Sequence, residues 1–102
     1  MAVNCVLEGE QGDAVERLSD PEGLLNSLIP SMEEATFQCW RFIDLYGDTV
    51  FNTLQMSQFL SELDVIRARS CSAQAARVLD ELERLGHRCL DEVHLYLKFY
   101  GD

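Results

Sequence analysis

Ser31-Met32-Glu33-Glu34-Ala35-Thr36-Phe37-Gln38-Cys39-Trp40-Arg41-Phe42-Ile43-Asp44-Leu45-Tyr46 is the stretch on which the fold class turns. Ser31 with Glu34 three residues on is a capping box, which favours a helix. Met32, Ala35, Cys39, Phe42 and Tyr46 would carry that helix onward at helical spacing, and the chain would then be an all-α bundle. Thr36 to Ile43, however, is rich in aromatic and β-branched residues, which favour extended chain. The reading adopted is one short helical turn followed by a strand near Phe37–Asp44. Tyr46-Gly47-Asp48 then forms a turn, and Thr49-Val50-Phe51 returns as a second strand.

On either side the signals are simpler. Val3, Cys5 and Leu7 alternate with Asn4 and Val6 as in a short strand, and Glu8 to Asp13 is a polar turn. Asp20-Pro21-Glu22 reads as a helix start, with an apolar face at Leu24, Leu25, Leu28 and Ile29 and a stop at Pro30. Asn52 with Gln55 is a variant capping box opening a helix whose face is Met56, Phe59, Leu60, Leu63 and Ile66, and which ends near Arg67–Arg69. A second long helix begins after Ser70 or Ser72 and runs through Gly86 to about Leu90. Its core positions are Ala75, Ala76, Leu79, Leu82, Cys89 and Leu90. His94 to Tyr100 alternates cleanly, with Leu95, Leu97 and Phe99 facing the core. The expected fold is α+β, with helices packed on one face of a small, largely antiparallel sheet and a single domain over residues 1–102.

Charge is the sharpest global property. Eighteen acids against eight bases leave a formal net charge of −10. Through Asp64 there are twelve acids and only Arg17 and Arg41, whereas from Val65 onward six acids meet six bases. Such a surface is a poor match for nucleic acid, which needs clustered cations, and for anionic membranes. It suits a cationic protein, whose association it would steer. No apolar run reaches the length of a membrane span, and the first residues lack the basic-then-apolar pattern of a secretion signal, so a soluble cytoplasmic protein is expected. Cys5, Cys39, Cys71 and Cys89, widely spaced, then read as reduced thiols.

Motifs for chemistry are weak. An EF-hand loop started at Asp44 puts Tyr46, Thr49 and Gln55 at positions three, six and twelve, where ligands and glycine are required. His87, Cys89, His94 and Cys71 lack the paired spacing of a structural zinc site. Cys89 sits at a core position, unlike a reactive thiolate. No phosphate loop, nucleophile elbow or metalloprotease helix occurs. The expectation is a non-enzyme without metal or cofactor. Tyr46 and Tyr96, outward beside acids, suit a protein interface, where tyrosine is enriched.

Two segments, Arg41-Phe42-Ile43-Asp44-Leu45-Tyr46-Gly47-Asp48-Thr49-Val50-Phe51-Asn52 with Leu54-Gln55, and His94-Leu95-Tyr96-Leu97-Lys98-Phe99-Tyr100-Gly101-Asp102, resemble small bacterial proteins of about this length. Many of those are similar to immunity proteins that neutralise polymorphic or contact-delivered toxins. The resemblance implies stoichiometric inhibition of a cationic toxin enzyme, with Glu8, Glu10, Asp13, Glu16, Glu33 and Glu34 as first contacts and Asp44 and Asp48 next. The alternative is an adaptor or structural subunit, acting through a partner protein or as a homodimer.

Overall fold

A computed structural model describes residues 2–70 and 72–101. It is α+β. Strands β1 (Asn4–Glu8), β2 (Ala14–Arg17), β3 (Asp48–Phe51) and β4 (Tyr96–Tyr100) form one sheet in the order β2-β1-β4-β3. Every pairing is antiparallel. The helices are a single turn, α1 (Leu25–Leu28), and two long elements, α2 (Thr53–Arg69) and α3 (Ala73–Asp91). The all-α alternative is thereby excluded.

The pleat explains the layering. Cys5 lies opposite Phe99, and Leu7 opposite Leu97, which in turn faces Phe51. All five are buried and meet Met56, Phe59, Leu63 and Ile66 of α2 and Leu79, Leu82, Leu85 and Cys89 of α3 in one cluster. At its centre Phe59 stacks on Trp40, with centroids 5.0 Å apart, and touches Phe51 and Phe99. On the other face Lys98 lies opposite Val6 and Val50. There Glu8 is 5 % exposed, because the Tyr100 hydroxyl donates to its carboxylate and Lys98 Nζ lies 3.3 Å away. To reach Glu8 from the row of Asn4, Tyr100 must cross Val6, and Val6 is buried under it.

The helix signals at Asn52 and Ser72 are realised. Asn52 Oδ1 accepts from the Leu54 amide while Gln55 Oε1 accepts from the Asn52 amide. The Ser72 hydroxyl accepts from the Ala75 amide, and α3 continues through Gly86. Three expectations need correction. The helix expected from Pro21 is only the turn Leu25–Leu28: Gly23 has φ +67, which interrupts it, and Asp20 instead accepts from the Leu24 and Leu25 amides at 2.8 Å. His94, expected in the last strand, has φ +71 and belongs to the preceding turn. The strand expected at Phe37–Asp44 does not form, and β3 pairs with β4 instead.

That last difference has a specific cause. A strand would offer the amides of residues 38–40 to a neighbouring chain. Here all three donate to the carboxylate of Glu62 on α2: Gln38 at 2.6 Å to Oε2, Cys39 and Trp40 at 3.0 Å to Oε1. Successive amides turned onto one anion require a curled backbone, and Trp40–Phe42 is a 3-10 turn. The indole Nε1 of Trp40 donates to the Phe59 carbonyl at 3.1 Å, which fixes the turn onto the middle of α2.

Candidate protein-binding surface

The sheet register sorts the expected contact residues. Asn4, Tyr100 and Asp48 share one row at one end of the sheet, while Glu8 and Tyr96 share the row at the other. Glu10 and Asp13 extend from the Glu8 end in the β1–β2 turn. Asp44, Tyr46 and Asp48 lie together at the Tyr100 end, where the Gly101 amide donates to the Gly47 carbonyl at 2.8 Å. Seven of the ten expected residues thus fall into two groups at opposite ends of the sheet, Glu16 lies on β2 opposite Leu7, and Glu33 and Glu34 lie off the sheet.

Ion pairing separates them further. Glu8 is buried and held by Tyr100 and Lys98, so it is not a surface acid. Glu16 projects from β2 toward α3, where Arg84 and Arg88 each bind it at 2.8 Å, and their hydrogen bonds pull its carboxyl down to about 2. Glu34 pairs with Arg69 at 2.8 Å, and that hydrogen bond, outweighing desolvation, lowers its carboxyl. Glu10 lies 2.5 Å from His94 Nδ1. Arg67 is clamped between Asp80 and Glu83. The bases of the C-terminal half are thus largely absorbed internally. Glu33, Asp44 and Asp48 are exposed and, among the described residues, form no ion pair. Tyr46 is 71 % exposed, whereas Tyr96 is only partly so.

Asp44 lines a groove of about 320 Å³ between residues 29–32 and 41–46, Glu33 follows its lining residue Met32 in the chain, and Asp48 lies two residues beyond its lining residue Tyr46. Pro30 and Ile43 are buried in its floor beside the partly buried Ile29 and Leu45, and Met32 and Tyr46 stand exposed on its rim. Arg41, the one base of this stretch, acts as a strut. Its Nη1 donates across the groove to the Met32 carbonyl at 3.1 Å, and its guanidinium lies 4.5 Å above the Phe42 ring. The second wall is fixed from within: Asp44 Oδ1 accepts from the Tyr46 amide, and the Thr49 hydroxyl accepts from the Asp44 amide. A charged rim around exposed apolar side chains, on a loop held rigid before binding, is what a protein interface requires.

Gly101 sets the position of this wall. A Cβ there would meet the Leu45 carbonyl carbon and oxygen at 2.5 Å, both backbone atoms that cannot swing aside. Gly101→Val is therefore expected to push the 44–47 loop off the end of β4, costing roughly 1–3 kcal/mol, as overpacking does. Amide shifts of Asp44, Tyr46 and Gly47, with the denaturation midpoint, check this. Unchanged shifts would show that the loop is held elsewhere.

The three described cysteines are shielded from chemistry. Cys5, Cys39 and Cys89 are free and buried, and burial raises the thiols of Cys39 and Cys89 to about 11 and that of Cys5 further. Cys89 Sγ donates to the Leu95 carbonyl, while His87 faces Glu83 and His94 faces Glu10. Cys71 and Asp102 lie outside the described residues. Among the described residues no group of three histidine, cysteine or acidic side chains is placed to hold a metal ion, and no helix is long and apolar enough to cross a membrane.

Of the residues expected at an interface, Asp44, Tyr46, Asp48 and Glu33 are exposed, while Met32, Pro30 and Ile43, which lie beside them in the groove or its rim, carry no charge that would single them out in the sequence. The loop that joins them is shaped by Glu62, a charge on the apolar stripe of α2 between Phe59 and Ile66, and an acid at such a position was the available signal. No protein-family profile, curated protein or solved structure matches this chain.

Proposed function

We propose that this chain is a cytoplasmic protein-binding module that neutralises a cationic toxin enzyme by one-to-one binding, as the immunity proteins it resembles do. One observation carries the reading: Asp44, exposed and without an ion partner among the described residues, lines a pre-formed groove edged by Met32 and Tyr46, and Glu33 and Asp48, equally exposed and unpaired there, lie within two residues of that edge in the chain. Unpaired acids draw a basic surface in at long range, and the apolar side chains supply the contact that holds it. The preponderance of acids before Asp64 supports the same partner chemistry. A toxin whose substrate groove is cationic would be blocked by occupation of that groove or of its margin.

The test is titration of a toxin encoded beside this gene with the purified chain. Activity is expected to fall linearly to zero at one equivalent, with light scattering giving a one-to-one complex. Full toxin activity in excess of this chain would refute the assignment.

A further inference from the structure

The apolar groove identifies the partner's anchoring element more closely, and this step rests on the reading just given. We propose that the groove between residues 29–32 and 41–46 receives one large aliphatic or aromatic side chain, carried on a partner segment with lysine or arginine on both sides. Size, lining and charge agree on this occupant. About 320 Å³ lies at the bottom of the range for small-molecule sites and suits one bulky side chain with room at its mouth. Pro30, Ile43, Ile29 and Leu45 offer a largely apolar floor, to which a charged side chain would lose its hydration without recompense. Cationic groups instead find their partners outside: Asp44 on one wall, Glu33 next after Met32 of the other, and Asp48 beyond the 44–47 turn.

Arg41 does not oppose this arrangement. Its guanidinium is bound to the Met32 carbonyl and laid on Phe42, so the cation ties the walls together and does not guard the entrance. The exposed Tyr46 ring on the rim offers a face to a flanking arginine. An apolar anchor in a pocket with charges at its edge is the usual energetic centre of a protein interface.

The experiment titrates the full chain with four decapeptides, followed by amide chemical shifts. The central residue is leucine or alanine, and the flanks are lysine and arginine or glutamate and aspartate. The basic leucine peptide is expected to shift Met32, Ile43, Asp44 and Tyr46, to bind about tenfold or more tighter than its alanine counterpart, and to leave the acidic peptides unbound. Met32→Ala and Tyr46→Ala change exposed side chains, preserve the fold, and are expected to weaken that peptide severalfold. Equal binding of the basic leucine and alanine peptides overturns the anchor while leaving the electrostatic reading and its toxin titration standing. Shifts located elsewhere, or none, overturn it as well.

Discussion

Glu62→Gln is expected to destabilise the protein by roughly 2–3 kcal/mol, lowering its melting temperature by roughly 10–20 °C. The Glu62 carboxylate is 4 % exposed and accepts four hydrogen bonds, from the amides of Gln38, Cys39 and Trp40 and from Gln58 Nε2 at 2.7 Å. A glutamine of the same shape keeps one accepting oxygen. If its nitrogen replaces Oε1, the amides of Cys39 and Trp40 face a donor; if it replaces Oε2, those of Gln38 and Gln58 do. The first placement strands two buried amides; the second strands the Gln38 amide and forces Gln58 to turn its own oxygen to the new nitrogen, and an unmet buried donor costs more than a hydrogen bond gains. Trp40, the sole tryptophan, reports the change directly, because its ring is placed by this turn. Its emission is expected to shift and the amides of 38–40 to lose exchange protection. Wild-type stability with unchanged protection would show that the turn is held by Trp40 packing alone.

The same carboxylate sets an acid limit. Burial, the largest influence, raises its pKa, but the hydrogen bonds from Trp40, Gln58, Gln38 and Cys39 together outweigh it and leave the group below its ordinary value of 4.5. A folded pKa below the unfolded one means that its stabilisation is complete above the unfolded value and is lost as pH falls through the folded one. Glu16 and Glu34, also lowered by arginine partners, act in the same direction. Stability measured downward from pH 5 should therefore fall less steeply in Glu62→Gln than in the parent.

How much of this was legible beforehand differs by element. The long helices were, because Asn52 with Gln55 and Ser72 are local signals answered by backbone amides within three residues. The central strands β1 and β4 were legible from alternation, since one face of each meets the core. Strand β2 was not: Ala14-Val15-Glu16-Arg17 is four residues on a sheet edge, with only Glu16 even partly covered, so nothing in it alternates. The 37–44 segment misled because Phe37 and Trp40 are buried without a strand, and the turn at Trp40 depends on an acid more than twenty residues away. The candidate surface was half visible for the same reason. Charge can be counted along a chain, but which acids stay unpaired by a cation depends on which bases the fold brings to them. Glu8, Glu16 and Glu34 found basic partners, while among the described residues Glu33, Asp44 and Asp48 did not.

That distinction yields the second large effect. Glu33→Lys, Asp44→Lys and Asp48→Lys together are expected to slow association with the proposed cationic partner by at least tenfold at low salt. Each reversal adds two charges, moving the formal net charge from −10 to −4. The loss therefore has two possible sources, the field of the whole molecule or charge at one place. A second triple variant separates them: Glu10→Lys, Asp13→Lys and Asp91→Lys carry the same net charge but lie at the Glu8 end of the sheet. At 0.15 M salt the screening length is about 8 Å, shorter than the five-residue strands that separate the two ends, so charge at the far end is mostly hidden from a partner seated on the groove. The two variants should accordingly slow association by similar factors at low salt and diverge as salt rises, with only the groove triple also shortening the lifetime of the complex. Equal lifetimes for both would mean that the partner sits elsewhere on the acidic surface, and the groove would lose its claim as the binding site.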